Sequence, residues 1–432
     1  MKSHRINVGT HITLRPGASS GWVALCHRES LLPWAARTVS AAGDRSTLLA
    51  LPSTDILVLG VTSVQMGTLN AIGNLAWPVL GLFAGVWVDR LRRRGILVAA
   101  DLGRAALIAS IPIAYAVGHL GLVQLYVVAG LVGVLTMFFD LAVTAHTPAI
   151  VPPVDWADAN AKVEMSSQAV YAIGPGVAGA LIDLLTAPIA LLADAISFLV
   201  SAALIGFTKP TAAPAAATER RSMLREAGEG LRFIAQRPVL LRIAITAGIS
   251  NVGLLMGLTV QLLFLYRAMH LSPLLVGVAF GVGSLGSLLG AVFSGPLMGR
   301  LGTHLTLVVS SGVEGLSLLL IPLGLFLPIL PLLILGLALS GFFGTVWNVS
   351  VTTFRQQIIS TALLGRVTAG GRVIAFSALP VGSLLGGFVG QALSSRFGTS
   401  GGLALTLVLA ALVAASSALS LLSPRGFTEE AA

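Results

Sequence analysis

The chain of 432 residues is 55% hydrophobic and only 10% charged, with a mean hydropathy of +0.92. Soluble domains carry about 45–50% apolar and about 25% charged residues, so a water-soluble enzyme fold is excluded and the bilayer is the solvent. The single Cys26 excludes a disulfide framework or a thiolate metal cage, and the net charge of +9 is spread as short basic clusters between apolar runs, which reads as membrane topology and not as a nucleic-acid surface.

In chain order, residues 1–37 read as a cytoplasmic tail. They hold basic residues but no apolar core followed by a small-residue cleavage site, so they do not form a signal peptide. A helix needs about 20 apolar residues to cross about 30 Å of hydrocarbon. Twelve segments meet that length, at 38–60, 66–88, 95–118, 121–146, 164–185, 187–207, 241–266, 273–298, 304–324, 328–350, 366–392 and 399–422. The first contains Asp44, Arg45, Pro52 and Asp55 and is expected to be broken or tilted. Residues 208–240 form the long hydrophilic connection, with a low-complexity run at 210–218 and then an amphipathic helix (Leu224, Ala227, Leu231, Ile234) on the inner membrane face. It separates two six-helix bundles, 38–207 and 241–422, and residues 423–432 form a C-terminal tail. Of the 26 basic residues, 22 then fall on one side, which places both termini in the cytoplasm of a protein of the plasma membrane.

The halves repeat. GVWVDRL at 85–91 matches GPLMGRL at 295–301, FFDLAVT at 138–144 matches VWNVSVT at 346–352, and Pro175 matches Pro380, all at nearly one offset. This architecture, all-α with twelve transmembrane helices as two six-helix pseudo-repeats, resembles the major facilitator superfamily. The stretch GVWVDRLRRRG is similar to the family's loop signature, with Gly85, Asp89, Arg90, Arg93 and Arg94 in matching positions; in the second copy Gly299 replaces the acid. AIGPGVAG resembles the Gly-Pro signature of the antiporter branch through Gly174, Pro175 and Gly179, although Ala178 stands where a glycine is common. AADLGRA, FFD and ANAK resemble the bacterial drug and siderophore exporters.

These residues have physical roles to play. Gly85 permits close backbone approach and Asp89 accepts bonds from amides or an arginine, so the loop can latch the cytoplasmic side, although the arginines also satisfy topology alone. Pro175 removes an amide donor and kinks its helix. Gly382, Gly386 and Gly390 form a packing stripe. An acid at mid-bilayer costs about 2.5–3.5 kcal/mol on insertion scales and usually faces a cavity. The proton-coupling candidates are Asp55, Asp44 and Glu314, in that order. Asp44 and Asp55 lie eleven positions apart on one helical face, which is expected to line the cavity, and Arg45 can neutralise Asp44; Asp101 and Arg104 stand three apart as an ion pair. Asn70, Asn251 and Gln261 are the candidate cavity liners.

The scattered histidines and the lack of a nucleotide-binding loop leave no cofactor, metal or catalytic residue to expect. The expected activity is proton-coupled export of amphipathic small molecules by a monomer that rocks between two states, with protons and the bilayer as its other partners. An uptake symporter of the same fold and a non-transporting receptor or scaffold are the alternatives.

Overall fold

The computed structural model describes residues 28–150, 156–208, 223–359 and 361–423, and every regular element among them is helical. The first seven helices are α1 (Arg28–Leu57), α2 (Ser63–Asn74), α3 (Ala76–Arg90), α4 (Arg93–Ala116), α5 (Leu122–Ile150), α6 (Trp156–Leu185) and α7 (Ala187–Gly206). The short α8 (Met223–Gln236) precedes α9 (Pro238–Leu263), α10 (Pro273–Ser317), α11 (Ile329–Ile358) and α12 (Thr361–Ser416). Eight helical segments among the described residues are long and apolar enough to cross a membrane.

Local chemistry sets the helix ends. Thr62 and Gln65 form a reciprocal capping box at the start of α2, so the chain re-enters a helix five residues after α1 stops. The α2 and α3 pair is one run interrupted at Leu75. Inside α10 and α12, Gly302 (φ 75°) and Gly398 (φ 73°) take the left-handed conformation that residues with a Cβ rarely adopt, and the helical path breaks at both. Just past Gly398, Gly402 lies against the backbone of Leu393 and Ser394, nine and eight residues back. A straight helix would put residues eight apart about 12 Å from one another, so the chain doubles back there.

One expectation needs correction. The first helix is neither broken nor confined to residues 38–60: α1 starts at Arg28 and runs unbroken through Pro33 and Pro52. Two of its charges, Asp44 and Arg45, are met by partners on other helices, described below. The helix α6 continues through Pro175.

Packing in a bilayer relies on close backbone approach, because lipid offers no hydrophobic contrast. The glycine stripe of α12 shows this: Gly382, Gly386 and Gly390 seat Val252, Met256 and Val260 of α9. The largest core cluster joins Leu49, Met66, Ile108 and Phe198 from the first half of the chain to Phe264, Val276 and Leu407 from the second.

Candidate functional site

A cavity of about 650 Å³ sits between the two halves, within the range of small-molecule sites. Helices α1, α2, α5 and α6 supply most of its wall; α9 adds Leu255, Leu258 and Leu262, and α10 adds Phe280. The wall mixes charge (Arg37, Asp44, Arg45, Asp140), amides (Asn70, Asn74) and rings (Trp77, Phe139, Tyr171) with apolar side chains.

Behind this wall lies a buried ionic cluster. Arg104 of α4 is wholly enclosed, and its guanidinium is held between the rings of Phe139 and Phe198, each 4.4 Å away. Its Nη1 donates to the two oxygens of Asp44 at 3.0 and 3.3 Å and to Thr136 at 3.4 Å; its Nη2 donates to Asp101 and, at 3.0 Å, to Ser40. Asp101 is completely buried, whereas the Asp44 side chain keeps 34% of its surface open, on the cavity wall. The i,i+3 pair of Asp101 and Arg104 forms as its spacing implies. Asp44 is neutralised by Arg104, not by Arg45, because Arg45 turns away and lies 3.7 Å over the ring of Tyr171. Nearby, Asp194 of α7 accepts from Thr47.

The other candidates fall in different places. Asp55 is fully buried and is not part of the cavity wall, so the expected shared lining face with Asp44 fails. The cavity-lining part of α1 ends at Pro52; in the next turn Ser53 bonds Tyr266 at 2.9 Å and the opposite half covers the helix. Asn70 lines the cavity. Asn251 does not, because its amide donates to the Ala375 carbonyl at 2.9 Å. Gln261 also stands off the wall, 3% exposed, about 60° or more around α9 from each of the three cavity leucines. Glu314 sits in α10 against Gly344 of α11, far in the chain from any cavity residue.

Of the loop signature, the side chains of Gly85, Asp89 and Arg90 lie outside the described residues. Arg93 opens α4, and Arg94 donates to the carbonyl of Gly206 at the C-terminal end of α7, where a cation meets the negative end of the helix dipole. The Gly-Pro signature of α6 stands at a crossing between the halves. Gly174 leaves room for Arg45, Gly179 lies against the backbone of Pro273 and Leu274, and the Pro175 carbonyl lies against Gly277 of α10. Three further contacts join the halves at the same end: Gly67 against Gly387, Ser53 with Tyr266, and the Asp183 carboxylate accepting from the Leu274 amide at 3.2 Å. Sequence reasoning missed Asp183 and Tyr266, which have only ordinary surroundings in the sequence.

Membrane-crossing helices around a cavity of ligand size, largely apolar with a few charged and amide groups, define a multi-pass membrane transporter. The chain belongs to the Major Facilitator Superfamily, whose family model matches residues 34–371. Multidrug efflux pump Tap of Mycolicibacterium fortuitum is 30% identical to it over 374 residues, covering 83% of this chain and 88% of that relative. A mutant of the nucleoside transporter NupG shares the fold with a TM-score of 0.77 at 13% identity, covering 91% of this chain and 98% of that one. A bacterial homologue of the iron transporter ferroportin matches with a TM-score of 0.70 in its inward-facing state and 0.57 in its outward-facing state. Both matches are at 16% identity and cover 90% and 91% of this chain and 98% and 99% of that one.

Proposed function

We propose that this transporter crosses the membrane twelve times as two six-helix halves and exports amphipathic small molecules in exchange for protons. Eight segments qualify by length and apolarity. Two of them, of 53 and 52 residues, are far too long for one crossing, and each is broken by a left-handed glycine near its middle. Counting each as two gives ten; α1, with its charged residues, and the interrupted α2–α3 run complete twelve. The clustering of basic residues puts both termini in the cytoplasm. The contacts through Gly179, Gly67, Ser53 and Asp183 then seal the outer end, while the cavity reaches toward the inner end through Arg37 and Asp140. The greater likeness to the inward-facing ferroportin homologue than to its outward-facing form supports an inward-facing state.

The observation that carries the reading is Asp44: among the proton candidates it alone stands on the cavity wall, open to a ligand and held by an arginine behind it. A carboxylate there can exchange a proton for a bound substrate as the halves rock. The likeness to a named efflux pump supports export over uptake. The test uses everted membrane vesicles acidified inside, where an exporter concentrates ethidium in the lumen. Asp44→Asn should abolish that accumulation yet keep exchange of ethidium down its own gradient. Full uphill accumulation by Asp44→Asn, or no effect of collapsing the proton gradient, overturns the coupling; accumulation only on the opposite face overturns the direction.

A further inference from the structure

The buried cluster holds two carboxylates and one guanidinium, and their unequal exposure separates their tasks. Arg104 presents two arms. The Nη2 arm reaches Asp101, with Ser40 bonded to both, and everything on it is completely buried. The Nη1 arm reaches Asp44 and Thr136, and Asp44 opens onto the cavity. A buried guanidinium left without a counter-ion is strongly destabilising, so a carboxylate that is its only partner cannot let go of it. Here the partner is duplicated, and the second copy is out of reach of any ligand.

We propose that Asp101 is a positioning residue for transport: it is the standing counter-ion of Arg104, and it frees Asp44 to trade the arginine for a proton or a substrate. This rests on the reading of Asp44 as the exchanging carboxylate. When Asp44 takes a proton, the Nη1 arm loosens while the Nη2 arm stays neutralised by Asp101, so no bare charge is stranded in the bundle. The two aromatic rings and Ser40 hold the guanidinium in place meanwhile. Asp101 touches no cavity and acts only through Arg104.

The charged groups around Asp44 are few enough to list. Helix α4 presents Arg104 and Asp101, α5 presents Asp140, α7 presents Asp194, and α1 itself carries Arg45 and, on the same wall, Arg37. Replacing Asp101 by its neutral isostere changes one of these and keeps its shape. The full charge of Arg104 then falls on Asp44, against which a proton competes less well.

The experiment reads the initial rate of ethidium accumulation in everted vesicles against lumen pH. For Asp101→Asn the lumen pH giving half the maximal rate should move toward acid by about one unit, a tenfold rise in the proton concentration required, in keeping with an opposite charge at close range. A role in bundle stability alone lowers the amount of protein and leaves that midpoint in place. Asp101→Asn should still fold, since Asp44 remains to balance Arg104, whereas the double variant Asp44→Asn with Asp101→Asn should yield no folded protein. A folded Asp101→Asn with an unmoved midpoint overturns the proposal. So does an Asp101→Asn that fails to fold, because Asp44 would then not share the arginine's charge, and so does a double variant that folds normally. Asp44→Asn alone discriminates the underlying reading: if it retains uphill transport, the assignment of Asp44 fails whatever Asp101 does.

Discussion

Gly277→Ala should push the transporter toward its outward-open state. In the structure a Cβ at Gly277 would fall on the Pro175 carbonyl oxygen, closer than real Cβ atoms come to anything, and would also crowd Gly179. Both obstacles are backbone, so neither can swing aside, and the two helices must part. Overpacking of this kind costs about 1–3 kcal/mol. The cost exists only while the outer end is closed, so at about 1.4 kcal/mol per tenfold the ratio of outward-open to inward-open molecules should rise roughly 5- to 150-fold. The gain in helix propensity from Gly to Ala is present in both states and cancels. Gly176→Ala supplies the control, since a Cβ there meets nothing within 4 Å. The assay is the distribution of distances between spin labels at Leu57 of α1 and Leu275 of α10, on a background in which Cys26 is replaced by serine. The long-distance population should grow in Gly277→Ala and stay put in Gly176→Ala. Equal distributions in the two variants would refute the close crossing of α6 and α10 as the outer seal.

Two smaller perturbations address the same end of the molecule. Tyr266→Phe removes one buried bond between the halves, to Ser53; at about 1 kcal/mol it should shift the same spin-label ratio about fivefold toward the open state, and no shift would mean that the bond is replaced when the gate opens. Asp55→Asn keeps the shape of a fully buried side chain that is off the cavity wall. It should leave uphill ethidium accumulation within about threefold of the parent, a change of less than 0.7 kcal/mol, and complete loss of accumulation with exchange intact would return Asp55 to the role of carrier.

The helices were legible in the sequence because lipid imposes length and apolarity on each crossing, and that signal is local. The amphipathic run around Leu231 and Ile234 became α8, with Ile234 buried, for the same reason of periodicity. The pair of Asp101 and Arg104 was legible too, because residues three apart on a helix must be neighbours. What failed were the inferences that set Asp55, Asn251 and Gln261 on the cavity wall, which needed the path of the cavity between helices. Asp44 and Asp55 do share a face of α1, yet three turns along the axis carry that face from the open cavity into the seal between the halves, and helical phase says nothing of where a cavity ends.

The partner of Asp44 shows the same limit more sharply. Arg45 is adjacent in sequence, but successive residues on a helix point about 100° apart, so an arginine next to an aspartate is poorly placed to pair with it. Arg104, sixty residues on, reaches Asp44 because α7 packs against both α1 and α4, with Phe139 of α5 and Phe198 of α7 closing over the guanidinium. An apolar sandwich of this kind leaves the arginine no water to fall back on, which ties the charge of Asp44 to the packing of four helices. The cost of a mid-membrane acid, read from the sequence as a sign of function, is therefore met by a partner that sequence spacing does not reveal. All four of these helices belong to the first half of the chain, so the hold on Asp44 is set within that half, by the way α7 and α5 close over the arginine.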